Sequence, residues 1–362
     1  MAKKTEIKAY DHVENPFTLL FGKEPSREVS RAMQQAIIED SFTEEEPSQQ
    51  VYLISGVRGS GKTVFMTNVS KKITSQKGWI LVNLNPERDM LNSLAAKLAG
   101  DNELVKIFKN AKINLSFFGF GLEVSNTAPI ADIEMALSKM LESLKKHHKR
   151  VFITVDEVTN SKEMREFSAA FQIFIREGLP VFLLMTGLYD NINAIQNEKS
   201  LTFLYRAPRI DLTPLNISAV AANYAAVFGM DEKKALKMAK YTKGYPFAFQ
   251  VLGHMTWEKK GDFESVLEQY KLYLYEYSYE KIWAELSQGD KKILYGIASA
   301  KSGKVSDIRA VLGIETNEFN PYRKRLIKKG LISSEGHGYV DIMLPMFDKF
   351  VIDMWEEDNE DN

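Results

Sequence analysis

The chain contains no cysteine. Disulfide frameworks and thiolate zinc sites are thereby excluded, and a reducing compartment fits. Charge of one sign is not in excess either: 47 basic and 48 acidic side chains leave a formal net charge of −1. That balance excludes an overall polycation built to coat nucleic acid, although it allows a local basic face. No stretch approaches the roughly 18 uninterrupted apolar residues of a membrane helix. The beginning, MAKKTEIKAYDHVENPF, is basic but has no apolar run behind it, so no secretory signal is expected. Internal repeats and low-complexity linkers are also missing. The expectation is a soluble, cytoplasmic protein. What is present is ordinary: 362 residues, 44% hydrophobic and 26% charged, enough for a sizeable core and two or three domains.

Residues 1–47 read as a leader with one helix-like stretch, 28–39, closed by Glu44, Glu45 and Glu46. The runs 51–54, 79–84, 150–155 and 181–185 are continuously apolar and do not alternate. Helical patterns at 62–75, 90–98 and 164–176 separate them. Strands buried on both faces of a parallel sheet look like this. The segment 48–212 is therefore expected to be a layered α/β core. Strands stop after Ile210, and 213–287 reads as a small helical domain with helices near 217–227, 233–241, 247–257 and 263–286. A third region, 288–355, reads as three helices (290–299, 305–312, 317–329) and a short hairpin turning at 336–338. An acidic tail, 356–362, follows.

The segment Gly56-Val57-Arg58-Gly59-Ser60-Gly61-Lys62-Thr63 matches G-x-x-x-x-G-K-[ST] in full. Wrapping a phosphate in main-chain N–H groups requires glycines that tolerate positive φ and close approach. The helix behind the loop, with Val64 in its first turn, offers unpaired N–H groups and the positive end of its dipole. Lys62 is expected to reach the β- and γ-phosphates of a purine nucleoside triphosphate, and Thr63 to help hold magnesium. The second half of such a site is an acid at the tip of a neighbouring strand. Asp156, ending the run 150–155, would hold magnesium through water, and Glu157 would orient or deprotonate the attacking water. Thr186, ending the run 181–185, stands where a hydroxyl could bridge γ-phosphate and water.

Glycine loop, Asp-Glu strand, threonine-tipped strand and then Arg206-Ala207-Pro208-Arg209-Ile210-Asp211-Leu212-Thr213-Pro214-Leu215 together resemble the AAA+ ATPases. The likeness is to the archaeal-type, initiator-like (origin-recognition-like) branch and to the related STAND signalling ATPases. It implies a P-loop NTPase sheet, a small helical lid and a C-terminal winged helix, with ATP or ADP and magnesium bound. It also implies an arginine acting in trans on the nucleotide of a neighbouring subunit; Arg206 best fits that position and Arg209 is the alternative. Lys243-Gly244-Tyr245-Pro246 resembles the Gly-x-Pro turn of STAND lids, where the proline lies near the adenine. The initiator pattern has an arginine in the helix that follows; here 247–252 is Phe-Ala-Phe-Gln-Val-Leu. That departure favours a slow nucleotide-dependent switch over rapid turnover.

The region 288–355 looks like a winged helix whose third helix carries Arg323, Lys324, Arg325, Lys328 and Lys329. These side chains could meet DNA phosphates, or could be the solvated face of a helix packed on the core or on a protein. Residues 114–123, aromatic at Phe117, Phe118 and Phe120, read as a hairpin, exposed or tucked against its own domain. His147 and His148 read as surface residues at a helix end. Two functions stand: an ATP-hydrolysing switch controlling self-assembly and DNA or partner binding, or a non-catalytic scaffold that holds ADP and binds a protein partner.

Overall fold

The computed structural model describes residues 14–19, 26–334, 336 and 338–360. The chain forms two compact units. One comprises 31–55 and 62–211; the other comprises the described residues up to 30, the loop 56–61 and the described residues from 212 onward.

The first unit is built on a five-stranded parallel sheet: β1 (Val51–Ser55), β2 (Trp79–Leu84), β3 (Arg150–Val155), β4 (Val181–Gly187) and β5 (Arg209–Asp211). The spatial order is β2-β3-β4-β1-β5. β1 and β4 are buried along their whole length, and β3 from its second residue on. The absence of alternation in their sequences reflects burial of both faces. The run 79–84, expected to be a buried strand, is instead the edge strand β2, and Leu81 on it is 38% exposed. The acidic strand β3 is not next to β1. β4 stands between them and carries Thr186.

Helices α1 (Ala32–Thr43), α2 (Lys62–Thr74), α3 (Met90–Ala99), α4 (Asn102–Asn110), α5 (Ile133–Lys146), α6 (Lys162–Arg176), α7 (Tyr189–Gln196) and α8 (Thr202–Tyr205) complete this unit. Asp89, Asp101, Asp132 and Ser161 cap α3, α4, α5 and α6 by accepting N–H bonds from the first turn. The helices α4, α7 and α8 have no counterpart among the expected elements, α5 is the helix whose end is expected at His147, and the leader helix expected at 28–39 is α1, shifted along the chain. No hairpin forms at 114–123. Gly119 and Gly121 both have φ of +72°, which breaks any extended run into a 3-10 turn, Ser116–Phe118, and a loop. The loop is pinned by the Leu115 N–H to the Leu122 carbonyl at 2.7 Å, and by burial of both leucines. Phe118 and Phe120 stack at 5.6 Å, while Phe117 remains 65% exposed. His147 and His148 are exposed at the end of α5.

The second unit contains α9 (Ile217–Phe228), α10 (Glu232–Lys240), α11 (Pro246–Glu258), α12 (Leu267–Leu274) and α13 (Glu280–Ala284), with a π-helical turn, Tyr275–Tyr279, between the last two. It continues with α14 (Gln288–Ala300), α15 (Val305–Leu312), α16 (Thr316–Lys328), β6 (Ile332–Ser333), β7 (Asp341–Ile342) and α17 (Phe347–Glu360). β6 and β7 pair antiparallel, and Lys304 bridges to Tyr339 beside them. Of the turn expected at 336–338, His337 lies outside the described residues, as do 1–13 and 20–25 of the leader.

Two further features are not foreseen from the sequence. The acidic tail is helical to Glu360, because Phe347, Phe350 and Val351 bury one face of α17 while the acidic residues lie further along it. Within the leader, Phe17 is a core residue, 1% exposed, with its ring 5.5 Å from Phe249 and stacked at 5.7 Å on Phe228. Gly253 makes room for it: a Cβ there would lie 2.5 Å from the Phe17 ring. Among the described residues no helix is long and apolar enough to cross a membrane.

Candidate nucleotide site

Strand β1 ends at Ser55 and the chain runs through 56–61 directly into α2, whose first residue is Lys62. Gly59 and Gly61 have φ of +76° and +85°, conformations that side chains with a Cβ rarely adopt. A Cβ on Gly56 would lie 2.5 Å from the Ser60 hydroxyl. The glycine pattern is therefore a geometric demand of this loop. Lys62 and Thr63 occupy the first turn of α2, with Lys62 only 8% exposed, and Val64 follows half-buried. Helix-first-turn N–H groups lack intrahelical partners and carry positive partial charge, which suits an anion.

Within the first unit the C-terminal ends of the sheet strands bring three predicted residues together. The Thr63 hydroxyl donates to one oxygen of Asp156 at 2.7 Å, and the Thr186 hydroxyl donates to the other. Thr186 is fully buried. Glu157, next in the chain, is exposed and adopts φ of +53°, and its N–H donates to Asp156 Oδ1 at 3.0 Å. A non-glycine residue held in the left-handed region costs of order 1 kcal/mol, and among the described residues Glu157 is one of several such residues, the others including Lys112, His148 and Met346. A hydroxyl and a carboxylate 2.7 Å apart form a hard-oxygen donor pair. Magnesium takes such pairs, keeping its other positions for water and phosphate. The residues fit the ion.

The two arginines differ. Arg209 is half-buried, pairs with Asp211 at 3.0 Å and lies 4.9 Å from the centroid of the Tyr189 ring. Asp211 also accepts the Ser55 hydroxyl, in register across β1 and β5. Arg206, at the C-cap of α8 beside the 71% exposed Tyr205, is exposed and has no ion-pair partner among the described residues.

In the second unit Pro246 opens α11 at its first position, and its Cβ is 3.7 Å from where a Cβ on Gly61 would stand. Proline has no N–H, so the first donor of α11 is Phe247, and that N–H goes to the Gly59 carbonyl at 3.2 Å. The residue before Pro246 is one that sequence reasoning misses. Tyr245, 3% exposed, donates its hydroxyl to the Arg58 carbonyl at 2.7 Å, and burial pushes its phenol pKa well up. Arg58 itself pairs with Glu285 at 2.9 Å. No linear signal joins Arg58 to partners about two hundred positions away.

Of the predicted basic residues of α16, several are engaged within the C-terminal module. Arg325 bonds Asp290 at 2.9 Å and the Ser287 hydroxyl at 2.9 Å, and Lys329 lies 3.8 Å from the same carboxylate, which is 1% exposed. Arg323 donates to Ser334. Lys324 and Lys328 are exposed.

Residues 276–351 match a family described as a domain of unknown function, DUF8462. No curated protein sequence matches the chain. The structure is similar to the Walker-type ATPase of Pyrococcus abyssi, with a TM-score of 0.62 and 18% identity over 92% of this chain and 99% of that one. It is also similar to the ORC2 protein of Aeropyrum pernix in its ADPNP–ADP complexes, with a TM-score of 0.57 and 12% identity over 95% of this chain and 98% of that one. At such identities the likeness is one of fold. The fold is the α/β P-loop NTPase fold that these structures share.

Proposed function

We propose that this chain binds ATP and ADP with magnesium and hydrolyses ATP slowly, as a switch whose nucleotide state governs the binding done by the C-terminal module. The observation that carries this reading is the convergence of Thr63, Thr186 and Asp156 beside an exposed Glu157. In this reading the amides of the glycine loop and the Lys62 ammonium take the phosphates. Thr63 and Asp156 hold magnesium, which supplies charge neutralisation for the β- and γ-phosphates. Glu157 orients the attacking water and accepts its proton, and Thr186 fixes Asp156 and faces the γ-phosphate. Arg206, rather than the engaged Arg209, is the residue suited to act on a neighbouring subunit's nucleotide. The divisions 48–212, 213–287 and 288–355 would then serve as ATPase core, lid and winged helix.

Self-assembly, and DNA or protein binding through the module, complete the proposal. Internal engagement of Arg323, Arg325 and Lys329 reduces the basic side chains of α16 open to a partner, with Lys324 exposed, which favours a protein partner or weak, non-specific phosphate binding. A scaffold that holds ADP without turnover is the second reading, favoured by the absence of a cation at 247–252. Calorimetry with ATP, ADP and magnesium tests the whole: binding is expected, and Lys62→Ala should abolish it. Absence of heat with the unaltered protein would overturn the reading, and tight ADP with no turnover would select the scaffold.

A further inference from the structure

The phosphate loop is held by residues of the lid at two successive peptides. The carbonyl of Arg58 accepts the Tyr245 hydroxyl at 2.7 Å, and the carbonyl of Gly59 accepts the Phe247 N–H at 3.2 Å. In a trans peptide the carbonyl and the following N–H point in opposite directions. Holding the Arg58 carbonyl therefore sets where the Gly59 N–H points, and that amide belongs to the loop that would receive phosphate. The fit is close: a Cβ on Gly59 would lie 2.2 Å from the Tyr245 hydroxyl.

Tyr245 has a single hydroxyl proton, and the carbonyl of Arg58 can only accept. The Ser278 hydroxyl, 2.8 Å away, must then donate to the Tyr245 oxygen. Ser278 is 2% exposed and lies inside the π-helical turn Tyr275–Tyr279. Such turns interrupt the regular helical ladder and occur frequently at functional sites. The flanking tyrosines of the turn grip the C-terminal module. The Tyr279 hydroxyl donates to the Pro345 carbonyl at 2.6 Å, and its ring meets Phe347 at 4.9 Å. The Tyr275 hydroxyl donates to the Met346 carbonyl at 3.4 Å, where Met346 has φ of +59° immediately before α17. A second tie, Arg58 to Glu285 at 2.9 Å, ends just beyond α13.

We propose that Tyr245 is a positioning residue that relays occupancy of the phosphate loop, through Ser278 and the π-helical turn, to the start of α17. It rests on the nucleotide-binding reading above. Phosphate drawn to the Gly59 amide turns the Arg58–Gly59 peptide, and the buried hydroxyl pair transmits that turn because neither partner has water to substitute for it.

The test uses the full chain and ADP with magnesium, with affinity by calorimetry and amide exchange by mass spectrometry. In the unaltered protein ADP should slow exchange in both 275–279 and 346–351. Ser278→Ala, which touches no phosphate-loop atom, should bind ADP within about twofold of the unaltered protein but lose the response at 346–351. Tyr245→Phe should weaken ADP about threefold to tenfold, the worth of one hydrogen bond, and lose the same response. If Tyr245→Phe does not fold, Ser278→Ala decides. A full response at 346–351 in Ser278→Ala overturns the relay, as does binding without any response in the unaltered protein. No ADP binding at all in the unaltered protein shows instead that the nucleotide reading is wrong, and the relay falls with it.

Discussion

The hydroxyl of Thr63 donates to the carboxylate of Asp156 at 2.7 Å, joining the first turn of α2 to the tip of β3 across 93 positions of chain. A divalent ion bound by this pair would replace the hydroxyl proton's hold on that oxygen with a metal's. Asp156→Asn should therefore make ADP affinity indifferent to chelation of magnesium. In the unaltered protein chelation should weaken ADP by about tenfold or more. Titrations with and without EDTA check this; equal sensitivity in both proteins would remove Asp156 from the metal.

Glu157 is placed differently from Asp156, exposed and with left-handed backbone. Glu157→Gln should retain ATP binding while lowering kcat about 10²–10⁴-fold, the usual contribution of a positioned general base. Single-turnover kinetics separate the two effects. Unchanged turnover would exclude Glu157 from proton transfer.

Arg206 and Arg209 should give opposite phenotypes. Arg209 is tied to Asp211 and packed over Tyr189, so Arg209→Ala is expected to lower the melting temperature of the core. Arg206→Ala should leave melting unchanged and reduce turnover about 10³-fold or more if it acts across a subunit boundary. In that case turnover of the unaltered protein rises with its concentration, and that of Arg206→Ala does not. Flat concentration dependence of the unaltered protein would count against action in trans.

Asp290 is the buried anchor of the basic helix α16, meeting Arg325 at 2.9 Å and Lys329 at 3.8 Å. Asp290→Ala leaves Lys329, 13% exposed, without this carboxylate and should destabilise the module by about 2 kcal/mol in urea denaturation. Arg325→Ala should likewise act on stability. Lys324→Ala should instead lower the salt dependence of any nucleic-acid binding, by a slope of about one for each phosphate it neutralises. A salt slope altered by Arg325→Ala with unchanged stability would contradict the internal role given to that residue.

Much of the core is legible in the sequence because its signals are local. The four continuous apolar runs correspond to β1 to β4; in β1, β3 and β4 burial on both faces of a parallel sheet removes alternation, whereas β2 lies at the sheet edge and is only partly buried. The glycine loop can be read because positive φ at Gly59 and Gly61 demands residues without a Cβ. Helices at 217–227 and 305–312 show in their periodicity. The hairpin expected at 114–123 does not form because two left-handed glycines outweigh the aromatic strand propensity. α17 escapes a sequence reading because its acidic end hides an apolar face that matters only when packed.

The sequence by itself determined that a phosphate-cradling loop lies between a buried strand and a helix, and that acid and hydroxyl end two later strands. These are properties of neighbouring residues. Tertiary structure alone decided that β4 separates β3 from β1, that Thr63 and Thr186 share one carboxylate, and that Arg209 is engaged while Arg206 is exposed. It alone also brought Tyr245 to Arg58 and Phe17 to Gly253, pairs separated by 187 and 236 positions. Pairings at that distance arise from burying whole faces together, and no short window of residues encodes them.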